Sequence, residues 1–235
     1  MSWKMTILSV VATVALASVA APAMGGIEVP PPWQSQGITG NETHWRWDFF
    51  PPSPPITTSP LDPVGHGAPG TPPPTINGGQ WLPTAPPQTD PTGGTIPGGG
   101  DGVYCIQPGG TITITMPNWP QPNDFKLIFI QFHFFGGAVP VAGASAIGPA
   151  GTPVSAINWG PTYTISPGPG GGSIGAAGLC FPFNPDFELI TISNPSPNTF
   201  MYLEWLTIDT ICAPSPGAAA MLGLGTLLAA GRRRR

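Results

Sequence analysis

Charged residues are scarce in this chain, and basic residues are the scarcest. Only 8% of the 235 residues are charged, with 7 Lys and Arg against 11 Asp and Glu. Five of the cations lie at the termini, so residues 26–212 carry two bases against eleven acids, a net charge of −9. An acidic middle of this kind disfavours binding to nucleic acids or to anionic lipid head groups.

Recognisable catalytic motifs are also scarce. The sequence has no His-Glu-x-x-His, Gly-x-x-x-x-Gly-Lys or EF-hand pattern. His133 lies in a strongly apolar run, where a hydrogen-bonded core or edge histidine is favoured over a general base working with Asp186 or Asp209. Glu188 and Glu204 also lie in apolar runs, and a solvated sheet face is favoured over a glycosidase-like pair. We therefore predict no enzymatic activity, no catalytic or metal-binding residues and no cofactor.

Cysteine is limited to Cys105, Cys180 and Cys212. This odd number allows one intrachain disulfide, which suits an oxidising, extracytoplasmic location. Because the first and last strands of a β-sandwich are often neighbours, pairing of Cys105 with Cys212 is slightly favoured over pairing of Cys105 with Cys180.

The amino terminus has the layout of a secretory signal peptide. A basic start ending at Lys4 precedes an apolar run over residues 5–20, and small residues follow at positions 21–25. The apolar run is short for a membrane span of about 20 residues, so cleavage after Ala23 or Gly25 is favoured over a retained anchor helix. Residues 1–25 are predicted to be a signal peptide and the chain to be exported.

The carboxyl terminus has three parts. A proline-rich motif (Pro214, Ser215, Pro216, Gly217) precedes an apolar run over residues 218–230 and a basic end (Arg232, Arg233, Arg234, Arg235). Such a run, as a helix, is about 20 Å long, shorter than a hydrocarbon core of about 30 Å. The four arginines match a cytoplasmic stop-transfer end under the positive-inside bias.

This tail resembles the PEP-CTERM sorting domain of Gram-negative bacteria, with Ser215 where the family motif has glutamate. The resemblance is limited to residues 213–235. It implies export through the secretion translocon, a transient hold in the inner membrane by a short transmembrane helix, and processing near the Pro-x-Pro motif by an exosortase-like enzyme. The implied final location is the cell envelope or the extracellular space. An ordinary tail anchor is the alternative.

Composition divides the middle of the chain near residue 100. Residues 26–100 contain 18 Pro and 13 Gly, which favours irregular or polyproline II structure. Their aromatic residues are nevertheless too many for a solvated linker. We predict an extended arm, partly irregular and partly docked on the following domain, with residues 43–49 as a strand.

Residues 101–212 are the predicted folded domain. Residues 111–116 alternate with period two, and residues 125–135 are apolar almost throughout, as in a strand buried on both faces. Residues 186–193 and 199–211 flank a turn and are predicted to form an antiparallel hairpin. The expected fold is all-β, an antiparallel, jelly-roll-like β-sandwich that follows the arm.

Two functions fit this organisation. An exported, envelope-sorted structural or adhesive matrix protein needs only the two terminal signals, the arm and a stable β-domain. A carbohydrate-binding module of the envelope or extracellular matrix is the alternative, with polysaccharide as its partner and Trp119, Trp159 and Trp205 as candidate sugar-stacking residues. Those tryptophans have a simpler explanation as part of a small β core.

The first testable prediction concerns the amino terminus. The mature protein is expected to begin at about residue 24 to 26, because signal peptidase cuts after small residues such as Ala23 and Gly25. Mass spectrometry of the exported protein measures this start directly. Recovery of peptides from residues 1–20 in the exported form would contradict it.

Overall fold

The structure is a computed structural model, and it describes residues 29–49, 63–67, 70, 72–83, 102–119, 125–136, 138–159, 163–165 and 172–213. The predicted signal peptide and the sorting motif, apolar run and arginine end lie outside these residues. Across the described ranges, no helix has the length and apolar character needed to cross a bilayer.

The described elements are one short helix and a series of strands. Helix α1 covers Pro32–Gln36. The strands are β1 (Asn41–Asp48), β2 (Val64–His66), β3 (Thr75–Asn77), β4 (Gln80–Pro83), β5 (Gly102–Ile106), β6 (Thr111–Pro117), β7 (Phe125–Phe135), β8 (Val141–Ile147), β9 (Pro153–Ser155), β10 (Ile157–Asn158), β11 (Tyr163–Ile165), β12 (Ser173–Phe181), β13 (Phe187–Ser193) and β14 (Met201–Ala213).

These strands form two antiparallel sheets. The larger sheet has nine strands along the path β10-β12-β7-β14-β1-β2, with β11 also beside β12, and with β5 beside β14 followed by β4. The smaller sheet has five strands in the order β3-β6-β13-β8-β9. This architecture confirms the all-β expectation.

One hydrophobic cluster contains side chains from both sheets. Alternate residues of β6 (Ile112, Ile114 and Met116) are fully buried there, as the period-two pattern predicts. Alternate residues of β7, including Ile130, belong to the same cluster. Because side chains alternate along a strand, β6 and β7 each have an inner face toward this shared core and an outer face directed away from it.

The larger sheet is also buried on its outer face. There Leu127 and Phe129 of β7 pack in a second cluster with Trp33 of α1. The segment before α1 is held by two hydrogen bonds: Val29 N donates to Gln131 Oε1 at 2.9 Å, and Gln131 Nε2 donates to Val29 O at 2.8 Å. The expectation that β7 is buried on both faces is confirmed, and residues 29–38 supply part of the cover.

Residues before position 100 are integral to both sheets. The predicted strand at 43–49 is confirmed as β1, and all eight of its residues pair with β14. Strand β4 pairs with β5, and β3 pairs with β6 of the smaller sheet. The sheets therefore take strands from both sides of the predicted boundary at residue 100.

The predicted hairpin of residues 186–193 and 199–211 is wrong. Both strands exist, but β13 lies in the smaller sheet and β14 in the larger one. Buried Asn194 lies in the connection, where its Nδ2 donates to the carbonyls of Ile106, Gln107 and Thr199. These bonds satisfy backbone groups where the chain passes between sheets, so the turn residues mark a crossover.

The second prediction tests the shared core. Ile130→Asp is expected to unfold the protein, because an unpaired buried charge costs several kcal/mol, comparable to a total stability of about 5–15 kcal/mol. Val141→Asp is the matched control, since Val141 is 58% exposed. Urea denaturation followed by tryptophan fluorescence measures both. Equal stability of the two variants would contradict the core assignment.

Candidate functional site

A histidine and a glutamate meet on the outer face of the larger sheet. His133 of β7 is 2% exposed and shares a hydrogen bond through Nδ1 with Glu204 Oε2 of β14. The register between β7 and β14 shifts between Leu203 and Trp205, and the Trp205 ring stacks on His133 with centroids 6.2 Å apart. The expectation of a hydrogen-bonded, buried His133 is confirmed, but its partner is Glu204 rather than Asp186 or Asp209.

Strand β1 extends this polar group along the same face. The Arg46 guanidinium lies over the Trp205 ring at 5.3 Å from its centroid, within the range of a cation–π contact. Two residues earlier on β1, His44 Nδ1 is 2.8 Å from Asp209 Oδ1, and its ring is 6.1 Å from that of His66. Among the described residues, no group of three or more His, Cys, Asp or Glu side chains is arranged to hold a metal ion.

A serine motif close to His133 was not recognised from the sequence. Residues 171–175 read Gly-x-Ser-x-Gly, a pattern that in α/β-hydrolases marks a strand-to-helix turn. Here Ser173 is the first residue of β12 and pairs opposite Phe134, whereas Ile174 pairs opposite His133. Neighbouring strand residues point to opposite faces, so Ser173 faces away from the His133–Glu204 pair.

The two glutamates weighed as a glycosidase-like pair lie on different sheets. Glu204 is on the outer face of β14. Glu188 is a fully buried residue of β13, so the expectation of a solvated sheet face is wrong for Glu188. Each carboxylate instead has a basic partner, His133 for Glu204 and Lys126 for Glu188.

The three candidate sugar-stacking residues occupy separate places. Trp119 follows β6, and its Nε1 donates to Glu42 O at 3.2 Å. Trp159 stacks on Trp33 of the amino-terminal segment, with centroids 6.5 Å apart. Trp205 is 6% exposed beneath Arg46. Each of the three indoles therefore has a different partner in the fold.

The predicted Cys105–Cys212 disulfide is corrected by the register of the larger sheet. Cys105 pairs opposite Tyr202 near the start of β14, whereas Cys212 lies near the end of that strand. At about 3.3 Å per residue the two cysteines are roughly 30 Å apart, far beyond the roughly 7 Å Cα separation that a disulfide spans. No disulfide joins them.

The most unusual polar group lies on the inner faces, between the two sheets. Lys126 of β7 and Glu188 of β13 both have 0% side-chain exposure, and Lys126 Nζ is 2.6 Å from Glu188 Oε1. Each precedes a buried isoleucine by two residues, Ile128 and Ile190. Strand alternation therefore directs both charged side chains into the apolar layer.

The side-chain amide of Asn118 completes this group. Its Oδ1 accepts hydrogen bonds from Lys126 Nζ at 2.7 Å, from Trp119 N at 2.8 Å and from Cys212 Sγ at 3.0 Å. Its Nδ2 donates to Asn184 Oδ1 and to Pro185 O. We refer to Lys126, Glu188, Asn118, Asn184 and Cys212 as the buried lysine cluster.

Burial controls the electrostatics of this cluster. It raises the pKa of Glu188, and the charge of Lys126 opposes that rise. Lys126 Nζ contacts Glu188 Oε1 as an ion pair, and among the described residues neither carboxylate oxygen has a partner with hydrogen-bond geometry. Burial also raises the pKa of Cys212, although Lys126 opposes this rise as well. Cys212 is therefore held as a thiol, which can donate to Asn118.

Comparison with known proteins adds no relative: no protein-family model matches the chain, and no curated protein matches it.

The third prediction tests the Lys126–Glu188 pair. Lys126→Met is expected to cost about 3–5 kcal/mol, because it leaves the buried Glu188 carboxyl group without the lysine nitrogen as its partner. The double variant Lys126→Met/Glu188→Leu is expected to be more stable than Lys126→Met, since it removes the orphaned group.

The same variants are expected to differ in pH dependence. Glu188 has a raised pKa in the folded state, so its contribution to stability is fully present below the unfolded-state value of about 4.3 and is lost as pH rises. Urea unfolding at pH 4 and pH 7 should show that loss in Lys126→Met and not in the double variant. Identical pH slopes would contradict the assignment of Glu188.

Proposed function

We propose that this chain is an exported, envelope-sorted structural or adhesive protein of the cell envelope or extracellular matrix, without enzymatic turnover. In this proposal the two sheets form an antiparallel, jelly-roll-like β-sandwich. A signal helix precedes it, and a PEP-CTERM-like tail with a short transmembrane helix follows it. The shared core with side chains from both sheets supports the sandwich.

The observation that carries the proposal is the position of β14, the strand that ends where the sorting motif begins. β14 pairs with β7 from Tyr202 to Ala213 and with β1 from Trp205 to Cys212. Its first residues pair with β5. A chain attached at the carboxyl-terminal end of β14 would therefore transmit force to a strand that is hydrogen-bonded along both edges.

That geometry suits a structural or adhesive role. Antiparallel hydrogen bonds run perpendicular to the strands, so a pull along β14 loads many of them together in shear. The use of His133 in an internal pair with Glu204 further supports a role without enzymatic turnover. The partners in this proposal are the secretion translocon and an exosortase-like processing enzyme, with transient contact to the inner membrane.

The fourth prediction tests sorting. Replacing Arg232, Arg233, Arg234 and Arg235 with serine should release the chain with its tail intact, because about 2.5–3.5 kcal/mol per buried arginine no longer opposes translocation. Replacement of the four by lysine keeps the charge and is the matched control. Cell fractionation and mass spectrometry of the carboxyl terminus measure the outcome.

Replacing Pro214 and Pro216 with alanine should leave the chain membrane-held and unprocessed. Wild-type protein from the envelope should lack peptides from residues 218–231. Their recovery from mature wild-type protein would support a simple tail anchor and reject processing.

A further inference from the structure

The buried lysine cluster holds an amine, an amide and a carboxyl group in contact. Lys126 Nζ is 2.7 Å from Asn118 Oδ1 and 2.6 Å from Glu188 Oε1. Because the amide C=O bond is about 1.2 Å long, Nζ lies within about 4 Å of Asn118 Cγ. Reacting atoms in near-attack geometry are about 3–3.5 Å apart, so only a small movement separates this arrangement from bond formation.

From this geometry we propose that Lys126 and Asn118 form an intramolecular isopeptide bond, Nζ to Cγ, with Glu188 as the proton carrier and ammonia as the leaving group. The reaction needs no oxidant, cofactor or partner. It occurs once per chain and is therefore a self-modification, which goes beyond the proposed function and does not depend on export.

The steps balance within the cluster. The Lys126 ammonium gives one proton to the Glu188 carboxylate, and the neutral amine then bonds to Asn118 Cγ while the carbonyl electron pair moves to Oδ1. A proton carried from Nζ by Glu188 reaches Nδ2, and the Cγ–Nδ2 bond breaks with its electron pair on nitrogen. The carbonyl re-forms, ammonia departs, and Glu188 retains one proton as a neutral acid.

The contacts around Asn118 support each change of charge. Trp119 N and Cys212 Sγ point at Oδ1, where negative charge develops when Nζ attacks, as oxyanion-stabilising donors do. Asn184 Oδ1 and Pro185 O hold the departing Nδ2 group on the other side of the amide. The amide is thus oriented at both of its ends.

Burial supplies the driving force for losing the ion pair. Two charges in an apolar layer pay a large desolvation cost, and the reaction replaces them with a neutral amide and a neutral acid. The raised pKa of Glu188, caused by its burial, agrees with its holding a proton at the end of the reaction.

Intact mass and trypsin digestion together test the proposal on the folded full chain. The wild-type protein should be lighter than its sequence by one ammonia molecule. Arg46 and Lys126 are the two basic residues between positions 26 and 212, and an acylated lysine is no longer a trypsin site. Denatured wild-type protein should therefore stay uncut after Lys126, and fragmentation should place the branch at Asn118.

Variants test the role of each residue in the proposed bond formation. Lys126→Arg and Asn118→Ala should both have the full sequence mass, and Asn118→Ala should be cut after Lys126. Asn194→Ala, which changes another buried asparagine, is the control and should keep the mass deficit. Glu188→Gln should form the bond about 100-fold more slowly or worse, since positioned proton transfer contributes about 10²–10⁴ in rate.

Several results would overturn the proposal. The first is a wild-type chain that has the full sequence mass and is cut after Lys126. The second is a branch located at Asn184 or elsewhere. The third is a Glu188→Gln variant that forms the bond at the wild-type rate. The wild-type mass and branch position need no variant, so the test holds even where a substitution prevents folding.

Discussion

Strand β14 is hydrogen-bonded along both edges, and the rest of the larger sheet is arranged around that pairing. β7 on one side and β1 on the other run antiparallel to it over most of its length. This places residues from positions 41–48, 125–135 and 201–213 in three adjacent strands. The two sheet faces then acquire different roles, since inner residues enter the shared core and outer residues meet α1 or one another.

Elements dominated by local pattern could be predicted from the sequence. Strict alternation identified β6, and the long apolar run identified β7, because both signals arise within a single strand. The strand character of residues 43–49 was also visible despite the surrounding prolines. Its place beside β14 was not visible, because strand partners across more than 150 residues leave no local signature.

The wrong predictions of the hairpin and of the disulfide also arise from strand pairing between distant parts of the chain. A proline-rich turn between two strands predicts a hairpin. The turn residues do not, however, determine whether the two strands belong to the same sheet, and β13 and β14 lie in different sheets. The cysteine pairing assumed that the first and last strands of the domain are neighbours. β5 and β14 are neighbours, but their register places Cys105 opposite Tyr202 near the start of β14, whereas Cys212 lies near its end.

The buried lysine cluster shows why polar residues are the hardest to place. Lys126 and Glu188 keep the alternation of their strands, so their positions relative to Ile128 and Ile190 already direct them inward. Their residue types instead predict that both side chains are exposed, because charged residues are rarely buried unless they are paired. The pairing depends on contact between two sheets and thus on the whole fold.

The location of the buried lysine cluster implies a mechanical role for the proposed bond. Lys126 pairs directly opposite Cys212, one residue before the end of β14, while Asn118 follows β6 of the smaller sheet. A bond between Lys126 and Asn118 would join the two sheets covalently near the end of β14 that precedes the predicted sorting motif. Force applied at the carboxyl-terminal end of β14 would first act on its last pairs with β7 and β1. Separation of the sheets at that point would expose the core, and a covalent link there opposes this separation whether or not the neighbouring hydrogen bonds break.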